Sequence, residues 1–441
     1  MTIHATPLQL DPSFTAPALT PHSWPFKLQD LPASAYLVGG SVRDGLLGRQ
    51  TRHLDLDFVL PSGAVKTARA IAHTYKAGFV LLDAERHIAR VVFEQATADF
   101  AQQVGETLDV DLRRRDFTIN AIAYHPHTAT FYDPLGGCDD LKRRCLRMIS
   151  LENLQDDPLR LLRAYRQAAQ LDFHIAGQTQ ETIRHLAALL KQVAPERVHA
   201  ELSYLLSSQR GTPMLTQAWE DGLLDIWLPH ANRIGLAWIA RMDEAAIALV
   251  QVHPAFDEAL TGWVRDQQQA AGTGRSWFKV AKLSCLVSPD PDVAETELWT
   301  LKCSRAEVQA ILTLLRVRPQ LREDNLTALT RREQYQFFQE VGVTFPAVAV
   351  LAIATGASLP TIQPLVQRFL TAADPVAHPN PLVTGHDLMT QLQMKPGRHI
   401  GKLLERLQIA HAEGEIATPE EALTLARQHR QQLSRTALEK G

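Results

Sequence analysis

Two aspartates one residue apart, Asp55 and Asp57, sit inside the apolar run LDLDFVL. Side chains alternate faces along a strand, so both carboxylates project together while Leu54, Leu56 and Phe58 point the other way. Two like charges so close repel, and a divalent cation shared between them relieves the repulsion. Hard Mg²⁺ prefers such oxygen ligands and keeps water or substrate phosphate in its remaining positions. Two metals about 4 Å apart activate an attacking hydroxyl and stabilise a leaving pyrophosphate. Just upstream, VGGSVRDGLLG reads as a strand ending at Gly39 and Gly40 and then a short helix. Ser41 is its expected N-cap, with Asp44 completing a capping box and Gly48 ending it. Such a turn offers free N–H groups to a triphosphate, and Arg43 adds a charged fork. Alone, each feature has an ordinary explanation as solvated strand-edge aspartates or a tidy turn. In succession they read as a phosphate cradle beside a metal site.

A second group could handle a nucleobase. In DDPLRLLRAYRQAAQLDF, Asp157 is placed to cap a helix with Pro158 at its first position, and Arg160, Arg163 and Arg166 recur every three residues. A solvated ion-pair stripe is the default explanation for such a pattern. The chemical alternative uses polarity: cytosine and adenine present an amino donor beside a ring-nitrogen acceptor, whereas uracil and guanine present a carbonyl beside an N–H. A carboxylate next to a guanidinium, as in Asp157 with Arg160, pairs with C and A. Unpaired buried polar groups cost about 1–3 kcal/mol each, so two mismatches give discrimination of roughly 10² or more. Upstream, DLRRRDFTINAIAY carries Arg113, Arg114 and Arg115 ahead of an apolar, helix-like run. Between Lys142 and Arg166 there are seven basic residues against three acidic ones. That local positive field fits phosphates although the net charge of the whole chain is −3.

The elements that must position these groups follow from periodicity. Across 31–149, short β-rich runs (AYLVGG, LDLDFVL, FVLLD, ARVVFE, TADFA, TFYDP) mix with helical patterns, which indicates an α+β head domain. After Ser150 the apolar spacing is helical throughout, so the rest reads as all-α. Pro- and Gly-containing breaks suggest a neck over 150–210, a body over 211–345 and a tail over 346–441, with a loose N-terminal arm over 1–30. With 441 residues, 45% apolar and 21% charged, the chain reads as soluble and globular. It shows no run of about 18 apolar residues and no signal-peptide pattern, so a cytoplasmic location without membrane contact is expected. The four cysteines lack CxxC spacing, which argues against a structural zinc site or a disulfide framework.

GGSVRDGLLG with DLD, RRRDFTINA, FYDPLGGCDDLKRRCLRMI, DDPLR and PERVHAELSYLL together resemble the motifs of the class II tRNA nucleotidyltransferase and bacterial poly(A) polymerase family. The resemblance implies a polymerase β-like nucleotidyltransferase head followed by an elongated helical neck, body and tail. It implies Asp55 and Asp57 as metal ligands, and Gly40, Arg43 and Arg115 as nucleotide contacts. Asp157 and Arg160 become an amino-acid template for CTP and ATP, with Arg163 and Arg166 as further nucleotide contacts. The first template position is Asp156 where the family usually has Glu. Asp99, in TADFA, is a candidate third carboxylate. The implied partner is tRNA, gripped by the tail, where Lys395, Arg398 and Lys402 are possible phosphate contacts. Only QQVGETLDV separates Ala101 from Asp111. In the family such a short loop accompanies enzymes that add only CC, so CCA completion and CC addition are both open. Poly(A) synthesis is a further alternative, disfavoured by the near balance of eight basic and seven acidic residues over 381–441. A non-catalytic RNA-binding relative is another, disfavoured by the intact Asp55, Asp57, Arg115, Asp157 and Arg160.

Overall fold

The computed structural model describes residues 8–9, 16–49, 53–207, 210–262 and 276–438. The chain forms two compact units, residues 1–201 with 213–226, and residues 202–212 with 227–441. The first holds strands β1 (Leu8–Gln9), β2 (Tyr36–Val38), β3 (Leu54–Leu60), β4 (Gly78–Asp83), β5 (Ile88–Val92), β6 (Ala96–Gln102), β7 (Ala123–His125) and β8 (Thr130–Tyr132). They make one sheet in the order β1-β8-β7-β2-β3-β6-β5-β4. Only β3 and β6 run parallel among these pairs. The helices interleaved with and following the strands are α1 (Gly40–Leu46), α2 (Ala64–Tyr75), α3 (Leu108–Arg113), α4 (Gly137–Lys142), α5 (Leu151–Asp156), α6 (Leu159–Leu171), α7 (Gly177–Leu186) and α8 (Pro195–Leu206).

The period-two pattern of β3 does what it implies. Leu56 and Phe58 are buried, Asp55 is exposed and Asp57 is half-buried. Phe58 stacks on Phe100 of β6 with ring centroids 5.2 Å apart, which seals the apolar face opposite the carboxylates. Burial of such aromatic surface contributes strongly to the stability of this sheet. Trp24 meets Phe58 edge-on at 5.2 Å, and its indole N–H donates to the Ala18 carbonyl at 3.0 Å. The described part of the segment read as a loose arm is therefore folded. It forms three 3₁₀ turns, two of them opened by a proline, and Leu19, Trp24 and Phe26 are buried.

The run after RRRD also differs from its helix-like reading. Thr118–Asn120 is a single 3₁₀ turn and the chain then enters β7. Ile119, Ala121, Ile122 and Ala123 are all fully buried. A short apolar run buried on every side carries no period, so strand and helix look alike in sequence.

The second unit is helical, as read from its periodicity. Its long helices include Arg233–Val252, Arg305–Val317, Phe345–Thr355 and Arg398–Glu413. Two buried ion pairs lie inside it, Lys279–Glu307 at 2.6 Å and Lys282–Asp243 at 2.7 Å. Although no uninterrupted apolar run of that length exists, Arg331–Thr355 contains a window long and apolar enough to cross a membrane, and 72% of that window is buried in the fold.

Trp24→Ala should lower the unfolding free energy of the first unit by about 3–5 kcal/mol, the usual cost of removing a buried aromatic. Urea denaturation followed by Tyr and Trp fluorescence checks this; an unchanged midpoint would return the segment to the status of an arm.

Candidate active site

The β3–β6 register places Asp57 opposite Asp99 and Asp55 opposite Thr97. Paired residues of neighbouring strands share a face, so Asp55, Asp57 and Asp99 stand together on it. The Thr97 hydroxyl donates to Asp55. Asp99 is clamped by Arg90 of β5, whose Nε and Nη2 donate at 2.7 and 2.8 Å. The Asp57 pKa is pushed up to about 6, first by burial and then by Asp55 and Asp99, with Arg115 and Arg90 pulling it back. Among the described residues no group of three or more His, Cys, Asp or Glu side chains is arranged to hold a metal. The donor set is thus the pair Asp55 and Asp57, while Asp99 is committed to a guanidinium. Two hard oxygen donors under mutual repulsion fit a divalent cation that takes its other ligands from substrate and water.

Gly39 closes over this pair with φ +75°, a conformation L side chains rarely adopt. A Cβ there would lie 3.4 Å from Asp57 Oδ2 and 3.5 Å from Arg115 Nη1, so the carboxylate and the arginine both flank the turn. The capping box expected for the following helix does not form. Gly39 is the N-cap, and Ser41 Oγ donates back to the Val38 carbonyl at 3.1 Å. Asp44 is taken instead by Arg43, whose Nε and Nη2 donate to it at 3.0 and 2.9 Å. Arg43 Nη1 donates to Asn120 Oδ1 at 2.8 Å, and the side chain is only 14% exposed. Arg43 braces the turn more than it reaches out from it. Gly40, Ser41, Arg43, Asp55 and Asp57 line one cavity of ≈ 190 Å³.

Asp111, which sequence reasoning missed, organises the arginine strip. It is fully buried and accepts from Arg114 Nη2 at 2.9 Å, Arg115 Nη2 at 3.1 Å and the Val104 N–H at 3.1 Å. Burial opposes its charge, but Arg115, the Val104 N–H and Arg114 hold its pKa below the usual carboxylate value. Its position three and four residues before two arginines on one helical turn was the available signal.

The residues expected to read a nucleobase meet in a second cavity of ≈ 640 Å³, lined by Asp157, Arg160, Arg114, Arg197 and Gln102 among others. Arg160 Nη1 donates to the carbonyls of Arg114 and Asn153 at 3.0 and 2.9 Å. Asn153 Nδ2 donates to the carbonyls of Arg113 and Arg115, tying α5 to the arginine strip. Asp157 does not cap the helix: Pro158 is the N-cap, and Asp157 Oδ2 accepts from Arg197 Nη2 of α8 at 3.0 Å. Arg163 lies on the same helix but turns to buried Asp116, at 3.2 and 2.9 Å. Arg166 turns to Glu201 and Gln170 and is 16% exposed. The structure thus gathers Asp55, Asp57, Gly40 and Arg43 in one cavity, Asp157 and Arg160 in the other, and Arg115 beside Asp57. Arg163 and Arg166 are engaged by Asp116 and Glu201.

Residues 35–147 match the model of the poly(A) polymerase head domain, residues 172–234 an RNA- and SrmB-binding site of polymerase A, and residues 276–426 domain 2 of tRNA nucleotidyltransferase. A CC-adding tRNA nucleotidyltransferase of Synechocystis is 47% identical over 92% of this chain and 95% of its own length. The chain belongs to the tRNA nucleotidyltransferase family. An A-adding tRNA nucleotidyltransferase of Deinococcus radiodurans is 34% identical over 90% of this chain and 95% of its own. The fold matches the Thermotoga maritima CCA-adding enzyme complexed with tRNA, with a TM-score of 0.67 and 22% identity over 90% of this chain and 91% of that one. Members of the family generally use a divalent metal.

The raised Asp57 pKa has a definite sign. The fold disfavours its ionised form, so the penalty is absent below the ordinary carboxylate range, grows as pH rises through about 6 and is complete above it. Asp57→Asn is expected to stabilise the metal-free protein at neutral pH by on the order of 1–2 kcal/mol while abolishing Mn²⁺ binding. In the unmodified protein, Mn²⁺ binding should weaken as pH falls below about 6. Thermal melts and calorimetric titration check both; normal Mn²⁺ binding by the variant would contradict the ligand assignment.

Proposed function

We propose that the chain adds cytidylate residues to the 3′ end of tRNA from CTP with Mg²⁺, stopping after CC, in the cytoplasm. The observation that carries the transfer reading is the Asp55 and Asp57 face with Arg115 flanking the same Gly39 turn, and a cavity lined by an acceptor and a donor on the same fold. When bound, the divalent cation supplies charge neutralisation at the triphosphate and activation of the attacking 3′-hydroxyl. Asp55 and Asp57 would hold it. Arg115 carries its charge to the polyphosphate beside Gly39. Asp157 accepts from the cytosine amino group and Arg160 donates to its ring nitrogen, so no nucleic-acid template is needed. Arg43 lines the cavity beside Asp55 and Asp57 while held by Asp44, and Arg163 and Arg166 are held by Asp116 and Glu201. The exposed Lys395, Arg398 and Lys402 are proposed contacts to the tRNA backbone.

The restriction to CC is supported by the connection from β6 to α3, residues 103–107. It is short and pinned: the Gln103 N–H donates to the Leu60 carbonyl at 2.7 Å, and the Val104 N–H to Asp111. A segment tied at these points has little freedom to remodel the base cavity for ATP.

Transcripts ending before CCA, after C and after CC, supplied with each labelled NTP singly and in pairs, test the reading. Extension that stops after CC is expected. A finished CCA end would overturn the restriction, and unlimited A incorporation would favour polyadenylation. Asp55→Ala should reduce incorporation by a factor of at least about 10³ while leaving tRNA binding intact. Asp157→Ala should relax the preference for C over U by roughly 10².

A further inference from the structure

Asp116, Asn120 and Gln167 form a buried polar layer between the catalytic turn and the base-reading helix. We propose that Gln167 is a positioning residue that ties Arg43, behind Gly39 and Gly40, to Arg163 on α6. The proposal rests on the nucleotidyl-transfer reading and adds to it a means by which the triphosphate end and the base end of one substrate share a frame.

Gln167 is 2% exposed, and both ends of its amide are used. Its Oε1 accepts from Asn120 Nδ2 at 2.9 Å and from Arg43 Nη1 at 3.3 Å. Its Nε2 donates to Asp116 Oδ2 at 3.4 Å. Asn120 closes the layer, accepting from Arg43 Nη1 and donating to Asp116 Oδ1, both at 2.8 Å. Asp116 Oδ2 is the same atom that receives Nε and Nη2 of Arg163. Two arginines from α1 and α6 therefore reach one buried carboxylate, Arg163 directly and Arg43 through two amides. The position needs an acceptor toward Arg43 and a donor toward Asp116. A hydrocarbon supplies neither, and a carboxylate would set a second negative charge against Asp116. Buried networks of this kind are rigid when complete and costly when one member is lost.

The test uses the full-length protein, Gln167→Met and Gln167→Glu, with tRNA lacking its CCA end and with CTP and UTP in separate reactions. Methionine keeps the volume and removes both hydrogen-bonding ends. It should raise KM for CTP and lower the preference for CTP over UTP, each by roughly tenfold, with Mn²⁺ binding unchanged. Glutamate keeps the acceptor toward Arg43 and Asn120 but loses the donor toward Asp116, so KM should return toward the unsubstituted value while the base preference stays relaxed. Identical behaviour of the two variants, or unaltered KM and preference in a folded variant, would overturn the proposal. Should the methionine variant melt early, the split between KM and preference in the glutamate variant decides. Failure of the unsubstituted protein to incorporate CMP would instead overturn the transfer reading.

Discussion

Everything in the first unit depends on the parallel register between β3 and β6. It stacks Phe58 on Phe100 on one face and sets Asp55, Asp57 and Asp99 side by side on the other. The first contact stabilises the sheet and the second destabilises it, through one set of backbone hydrogen bonds. A one-residue slip would reverse the faces, burying carboxylates and exposing phenylalanines. The repulsion is tempered by Arg90, which takes Asp99, and by the charge of Arg115 across the Gly39 turn. What is left uncompensated, a raised Asp57 pKa, is the electrostatic vacancy a divalent cation fits.

Around this pair the arginines divide into those that face the cavities and those that hold the walls. Asp111 fixes Arg114 and Arg115 from a fully buried position, and Asp116 does the same for Arg163. Backbone carbonyls of the strip then receive Arg160 and Asn153, so α5 and α6 are built onto the residues that face the carboxylates. The orientation of Arg114 and Arg115 and the tethering of Asn153 and Arg160 thus come from one short stretch, 111–116. Preorganisation of this kind lowers the reorganisation required when charge develops in a transition state.

Much of this was legible in the sequence where the signal is local. The alternation in LDLDFVL gives the facing of Asp55 and Asp57, whereas Asp157 and Arg160 share a cavity but are held by Arg197 and by backbone carbonyls. Periodicity gave the α+β head and the helical remainder, and the family resemblance gave the type of head domain. Non-local facts were hidden. Nothing near Asp99 in sequence says that Arg90 will clamp it, because that contact exists only through the β5–β6 pairing. Arg43 and Arg166 look free in sequence, yet each is taken by a carboxylate, Asp44 and Glu201, whose geometry depends on folding. The Pro-rich start reads as loose because turn chemistry is local, while the burial of Trp24 and Phe26 is not. DFTINAIAY reads as a helix because complete burial erases the period that separates strand from helix.

The most direct measurement is a crystal structure of the protein grown with CTP and Mn²⁺, with the metal located by its anomalous signal. The account predicts manganese ligated by one oxygen each from Asp55 and Asp57 and by the polyphosphate, with Asp99 still held by Arg90. Manganese bound elsewhere, with both β3 carboxylates unligated beside an ordered triphosphate, would contradict it.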